Sequence, residues 1–194
     1  MEFDEIIRER HSTREFSNKK PDWRDVLMAL DATQHVPLAN NFNHLKYVII
    51  EDRDVIDKIA GYSQQSWISQ VHMLVVVCSE ERHLEGLYGE RGRVYSRQQS
   101  GAAIQTFLLK LTELGLQSCW VGAYDDEKIR NMIRAPPNIT IEAIIPIGYE
   151  DKVRFGKPRA KKRELTRSIY WEVWERGRRA PIFFEAPKNR DPWK

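Results

Sequence analysis

Arg10-His11-Ser12-Thr13-Arg14 places two guanidiniums and a hydroxyl within five residues, just after a short helical pattern. Arginine makes bidentate hydrogen bonds to phosphate or carboxylate-like edges, and serine adds a neutral donor. A solvated basic turn uses the same residues, and on spacing alone that is the better reading. The second polar cluster is Pro37-Leu38-Ala39-Asn40-Asn41-Phe42-Asn43-His44. Its amides suit hydrogen bonding to a heterocycle or a sugar hydroxyl. They equally suit a plain turn, because asparagine tolerates the left-handed region. Gln64-Gln65-Ser66-Trp67 carries the same ambiguity.

Other chemistries lack their residues. No G-x-G-x-x-G follows a strand pattern, no G-x-x-x-x-G-K-[ST] is present, and no G-x-S-x-G elbow exists. Gly86, Gly89 and Gly92 are evenly spaced but lie in a polar stretch without strand-to-helix context. The five histidines show no metal-ligand spacing, so no metal site is expected. Cys78 and Cys119 sit in apolar runs, where buried, inert thiols are expected.

The elements that would position these clusters follow from periodicity. A short helix holds Phe3, Ile6 and Ile7. Pro21-Asp22 introduces a second, with Trp23, Val26, Leu27 and Leu30 on one face. Tyr47–Ile50 reads as a buried strand, 53–61 as a helix ending at Gly61, and Leu74–Cys78 as a central strand. The longest helix is expected from about Gln98 to Leu114, with Ile104, Phe107, Leu108, Leu111 and Leu114 as its stripe and Gly115 as its cap. Small residues at Ser100–Ala103 permit close approach by another helix or a flat ligand. Cys119–Val121 reads as a strand, Asp125 as the cap of a helix through Ile133, and Ile139–Ile147 as a strand ending at Gly148. Helical spacing returns at Leu165, Ile169 and Val173. Two helices before the first strand argue against a strict βαβ array, and the order implies a layered sheet-and-helix domain.

In that order, the motifs resemble the FMN-dependent nitroreductase family. Arg10–Phe16 looks like its opening R-x-S-x-R/K-x-F, and Pro37 with Asn41 and Asn43 looks like its P-S-x-x-N-x-Q loop. Gln64 and Gln65 sit where the family sets an amide against the flavin ring. Gly101, Ala103 and Gln105 match the start of its central helix. Gly115–Tyr124 resembles G-L-G-x-x-W-x-G-x-F/Y, Ile147-Gly148-Tyr149 the late I-G-Y, and Lys161-Lys162-Arg163 a basic pair that reaches the phosphate. The resemblance covers residues 1 to about 170. Leu38 stands where the family has serine, Asn43 where it has glutamine, and Trp67 where some relatives have lysine.

The resemblance implies an α+β fold with a central mixed, mostly antiparallel sheet flanked by helices, and a long central helix at a dimer interface. It implies FMN as cofactor and NAD(P)H as reductant. Hydride would pass by a ping-pong cycle through flavin N5 to a nitroaromatic, a quinone or a similar acceptor. Arg10, Ser12, Lys161 and Arg163 become candidates for the phosphate and ribityl chain, with His11 in the same motif. Arg14 becomes the candidate for the N1–C2 edge. Val121, Gly122 and Ala123 would bring backbone N–H groups to N5, where glycine allows close approach. The loop with Pro37, Leu38, Ala39, Asn41 and Asn43 would serve the partner's flavin. No side chain is required as general acid or nucleophile. Specialised dehalogenating, flavin-destroying or peptide-oxidising chemistry fits the same fold.

Composition sets the remaining bounds. The chain has 194 residues, 41% of them hydrophobic and 10% aromatic, which argues against disorder. Two cysteines exclude a disulfide scaffold. No apolar run approaches the ~20 residues needed to span a bilayer, and the N-terminus lacks a signal-peptide pattern. A soluble, cytoplasmic protein is expected. Residues 1–151 carry a net charge of −6 and residues 152–194 a net charge of +9. A basic tail with Tyr170, Trp171 and Trp174 among arginines has the makings of a nucleic-acid surface. The spacing of Ile169 and Val173 favours packing instead. The division expected is a cofactor domain at 1–170 and an extension at 171–194 that packs on a partner subunit, with part of the positive charge serving the FMN phosphate.

Overall fold

The computed structural model describes residues 2–151 and 168–174. The chain divides into two compact units, Met1–Phe155 and Gly156–Lys194. Among the described residues of the first, six α-helices and four strands follow in the order α1 (Phe3–Glu9), α2 (Trp23–Asp31), β1 (Leu45–Ile50), α3 (Arg53–Tyr62), β2 (Met73–Glu80), α4 (Arg82–Tyr88), α5 (Glu90–Glu113), β3 (Gln117–Ser118), α6 (Asp126–Met132) and β4 (Ile139–Gly148). The sheet order is β1-β2-β4-β3, and all three pairings are antiparallel. The parallel component is a single bridge, Ser12 to Ser118, so the α+β fold is as expected, mixed but mostly antiparallel.

β2 is the centre because every side chain from Met73 to Ser79 is buried. Its alternate residues face opposite layers. Met73, Val75 and Val77 join Ile104, Phe107, Leu108 and Leu111 of α5 in one core, with Val26, Ala29 and Leu30 of α2. Leu74, Val76 and Cys78 join Ile56, Ile59, Ile68 and Ile129 in the other. β1 is an edge strand and only half-buried along its middle, not the buried strand its β-branched run suggests.

Three further boundaries differ from the sequence expectation. α5 starts at Glu90, eight residues before Gln98, and α4 occupies the polar stretch ahead of it. Its buried stripe continues N-terminally in phase, through Gly92, Ser96, Gln99 and Ser100, but those residues are small or polar. Gly101, Ala103 and Gln105 therefore lie mid-helix, not at its start. Two of the three spaced glycines are structural. Gly89 turns the chain between α4 and α5 at φ +57, and a Cβ on Gly92 would lie 2.2 Å from the Leu84 carbonyl oxygen. α3 runs past Gly61 to Tyr62, and its cap is not glycine: Gln64 takes that position at φ +53. Cys119–Val121 does not form a continuous strand. β3 ends at Ser118, and Val121 returns to the sheet through a paired bridge to Ile144.

The apolar face assigned to α2 is divided. Val26 and Leu30 are buried, while Trp23, Leu27 and Met28 remain exposed. In the second unit, residues 168–174 form bends and turns rather than α-helix, and Tyr170 packs against Trp174 with ring centroids 4.8 Å apart. Among the described residues no helix is long and apolar enough to cross a membrane.

Candidate functional site

The N-terminal basic segment is held as an added strand at the β3 edge. Thr13 N–H donates to the Ser118 carbonyl at 3.1 Å, and Ser17 N–H to the Tyr149 carbonyl at 2.8 Å. Alternation then turns Thr13 inward, where it is buried, and leaves Ser12 and Arg14 exposed. His11 ties the segment to the end of β4. Its Nε2 lies 2.7 Å from Glu150 Oε1, and its Nδ1 donates to the Glu9 carbonyl at 2.8 Å. His11 is thus committed to holding the segment.

Arg10, Ser12 and Arg14 converge on Cys119. Burial raises the Cys119 thiol's pKa, while the Arg14 charge, hydrogen bonds from Ser12 and Arg14, and the Arg10 charge pull it down. Two cations and a hydroxyl therefore share one small region of the edge. Burial also pushes Cys78 up to about 11, with Glu142 adding to the effect. Both thiols stay protonated at neutral pH, as their apolar contexts imply.

The Gln64 turn reaches the same end of the sheet. Gln65 N–H donates to the Ala60 carbonyl and Gln64 N–H to Gly61, the paired bonds of a Schellman cap. α5 ends in the same motif with Gly115 at φ +79 in the left-handed position, and α6 with Arg134 at φ +54. Gln64 is exposed in this strained conformation, whereas Gln65 is half-buried. Trp67 stacks on Phe16 at 6.3 Å, and Gln70 accepts from Phe16 N–H at 2.8 Å, so 64–70 and 10–16 are packed together. Asp125 N–H donates to the Tyr62 carbonyl, which brings the chain after Ala123 beside the same turn.

Gly122 and Ala123 are exposed just beyond the Val121 bridge. A Cβ on Gly122 would meet nothing within 4 Å, and its φ is not in the left-handed region. The fold therefore makes no demand for glycine there. Bare, exposed backbone there permits close approach by a flat ligand.

The Pro37–Asn43 loop lies elsewhere. It leads into β1 at the far edge of the sheet. Ser12 sits at the β3 corner and His44 at the diagonal one, with on the order of 30 Å of sheet between them at ~4.8 Å per strand and ~3.3 Å per residue. Pro37, Leu38 and Ala39 line a mostly apolar hollow of about 350 Å³ against Tyr95, Gln98, Gln99 and Ala102 of α5. Asn41 is exposed at φ +54. Asn43 is spent locally, donating to Gln34 Oε1 and accepting from Leu45 N–H. The arginine segment, the turn at Gln64 and the chain around Val121 thus lie toward one end of the sheet, and the Pro37 loop lies apart. Lys161 and Arg163 lie outside the described residues.

Several residues the motifs did not mark prove structural to the site. Gln99 and His44 anchor the Pro37 loop, and Gln70 and Ser118 anchor the arginine segment. The usable signal for Gln99 was its phase: it is a polar residue on the stripe of Ile104 and Phe107. Among the described residues no group of three or more His, Cys, Asp or Glu side chains is placed to hold a metal ion.

Comparison with known proteins shows the family. The model of the nitroreductase family matches residues 7–85 and 63–149. An iodotyrosine deiodinase of Thermotoga neapolitana is 23% identical over 171 residues, covering 80% of this chain and 92% of that protein. A protein of Archaeoglobus fulgidus, provisionally named as an NADH dehydrogenase/NAD(P)H nitroreductase, is 24% identical over 149 residues, covering 74% of this chain and 83% of its own. The solved structure of an FMN-dependent nitroreductase from Clostridium difficile R20291 superposes with a TM-score of 0.74 at 16% identity, over 87% of this chain and 98% of that one. With the family model matched over most of the chain, and the same fold recovered independently, this protein belongs to the nitroreductase family.

Proposed function

We propose that this protein is an FMN-dependent NAD(P)H oxidoreductase that works as a homodimer. One observation carries the reading: the candidate residues fall at two opposite corners of the sheet. A single chain leaves its arginine corner and its Pro37 loop apart, and a second copy supplies the loop. The exposed backbone at Gly122 and the nearness of Arg10, Ser12 and Arg14 to Cys119 suit FMN's flat ring and anionic tail.

Bound FMN supplies hydride exchange at its N5. The chain's own part is to bind and orient. Arg10 and Ser12 take the phosphate and ribityl oxygens. Arg14 offers fixed positive charge at the N1–C2 edge, where charge develops on reduction. Gln64 presents its amide to the ring from a backbone conformation it holds at a cost. Gly122 and Ala123 keep bare backbone available for close approach. The exposed Trp23, Leu27 and Met28 of α2, together with Gly101 and Ala102 of α5, provide apolar and small surface for the second subunit. The extension after residue 170 packs on that subunit in this reading. The acceptor is a nitroaromatic, a quinone or a similar small molecule, and the site is cytoplasmic.

Reductive dehalogenation is a second reading, favoured by the likeness to a protein named iodotyrosine deiodinase. NADH and NADPH oxidation with nitroaromatic, quinone and halophenol acceptors separates the two. Arg14→Ala should weaken FMN by about tenfold, the worth of one charge-assisted hydrogen bond. Unchanged affinity and turnover would remove Arg14 from the site.

A further inference from the structure

The Pro37–Asn41 loop contains two consecutive residues in the left-handed region, Asn40 at φ +52 and Asn41 at φ +54. Its internal bonds are short-range, Asn41 N–H to the Leu38 carbonyl and Phe42 N–H to Ala39. An exposed loop closed only by such short-range bonds keeps one shape only if something outside it fixes the backbone. That support comes from α5. Ala39 N–H donates to Gln99 Oε1 at 2.5 Å. Gln99 Nε2 meets His44 Nδ1 at 2.9 Å, and His44 Nε2 meets the Ser96 carbonyl at 3.2 Å. Gln99 is 5% exposed and His44 1% exposed.

The chain of bonds has one self-consistent proton arrangement. A backbone N–H needs an acceptor, so the Gln99 oxygen must face Ala39 and its NH2 must face His44. Nδ1 of His44 is then an acceptor and carries no proton. Nε2 carries the proton and donates to Ser96. A second proton on His44 would set Nδ1–H against the Gln99 NH2. Relief by flipping the amide would set its NH2 against Ala39 N–H. Either way the anchor of the loop is lost.

We propose that Gln99 and His44 are positioning residues for the cofactor site, holding the Pro37–Asn41 loop in shape while His44 is neutral and releasing it when His44 is protonated. The proposal rests on the reading that this loop serves a flavin across the subunit boundary. The groups facing the imidazole from the packed elements are Ser96 and Gln99 of α5, Glu142 of β4, Glu81, and Arg97 of α5. Burial dominates and lowers the His44 pKa; the Ser96 carbonyl, Glu142 and Glu81 raise it, and Arg97 lowers it. The neutral state is therefore the resting one at neutral pH.

The test uses the full chain and follows amide exchange at Ala39, corrected for intrinsic pH dependence, from about pH 7.5 to about pH 5. Ala39 protection should fall about tenfold further than that of Val76 in the central strand. Gln99→Glu supplies a carboxylate that accepts from Ala39 and from a protonated His44, so protection should persist at the acid end. His44→Gln can accept from Gln99 and donate to Ser96 without titrating, so its Ala39 protection should follow Val76. FMN affinity of the wild type should decline in step with Ala39 protection. Ala39 tracking Val76 in the wild type, or Gln99→Glu responding as the wild type does, overturns the anchor. An Ala39 response with FMN affinity flat across the range overturns its role in the site. A protein that takes up no FMN even at neutral pH refutes the flavin reading instead, and the exchange data still decide the anchor.

Discussion

Replacing Gln64 with glycine separates what the fold wants from what the site wants. Gln64 is the left-handed residue of the α3 cap at φ +53, in the same motif that Gly115 fills at φ +79 after α5. A side chain in that region costs ~1–2 kcal/mol, and glycine recovers this less ~0.4–1 kcal/mol of unfolded-state entropy. The net gain is ~0.5–1 kcal/mol, a rise of ~1–4 °C in Tm for a chain of this size. If the Gln64 amide contacts the flavin, losing one neutral hydrogen bond costs ~0.5–1.5 kcal/mol, or about two- to tenfold in FMN Kd. Arg134→Gly at the α6 cap is the control, because Arg134 has φ +54 in the same motif. Thermal melts without FMN should rise for both variants, while fluorescence titration should show weaker FMN binding for Gln64→Gly alone. A Tm that falls or stays constant in Gln64→Gly would refute the strain argument. Higher stability with unchanged FMN affinity would pass the ring-facing role to Gln65.

Gly92→Ala forces a Cβ to within 2.2 Å of the Leu84 carbonyl oxygen, so backbone must move. The expected cost is ~2–3 kcal/mol, read as a drop of ~5–10 °C in a thermal melt. Gly122→Val should behave in the opposite way. It meets open space in the chain, so Tm should stay within ~2 °C while FMN binding is lost. His44 sets a pH dependence of stability. Its folded pKa is lowered from 6.5 mainly by burial, so the unfolded chain takes up the proton first as pH falls. Stability is fully present above 6.5 and declines below it, at up to ~1.4 kcal/mol per pH unit. Urea midpoints on both sides of that value, for wild type and His44→Gln, measure the difference.

Sequence periodicity located every element that buries an apolar stripe or an apolar strand face. β2, β4 and the C-terminal half of α5 were legible because Val75, Ile145 and Phe107 repeat at the period of their element. The first half of α5 was not, because its buried positions are Gly92, Ser96, Gln99 and Ser100, which carry no hydrophobic signal. The α3 cap was misplaced by one turn position because glycine is the usual left-handed residue, and here glutamine takes that place. β3 is short because its edge is shared between β4 and the arginine segment, a long-range pairing that no local pattern encodes. For the site, the arginine motif and Gly122 were visible as types and spacings. The placement of the arginine motif beside Cys119 was not, since it depends on the Ser12–Ser118 bridge. Gln99 and His44 were missed because each looks ordinary alone and matters through a bond to the other.

FMN binding by the purified protein tests the central claim most directly. The account predicts a yellow protein with absorbance bands near ~370 and ~450 nm, one FMN per chain, in a particle of two chains. A colourless protein that takes up no added FMN, or one that binds FMN fully as a monomer, would contradict it.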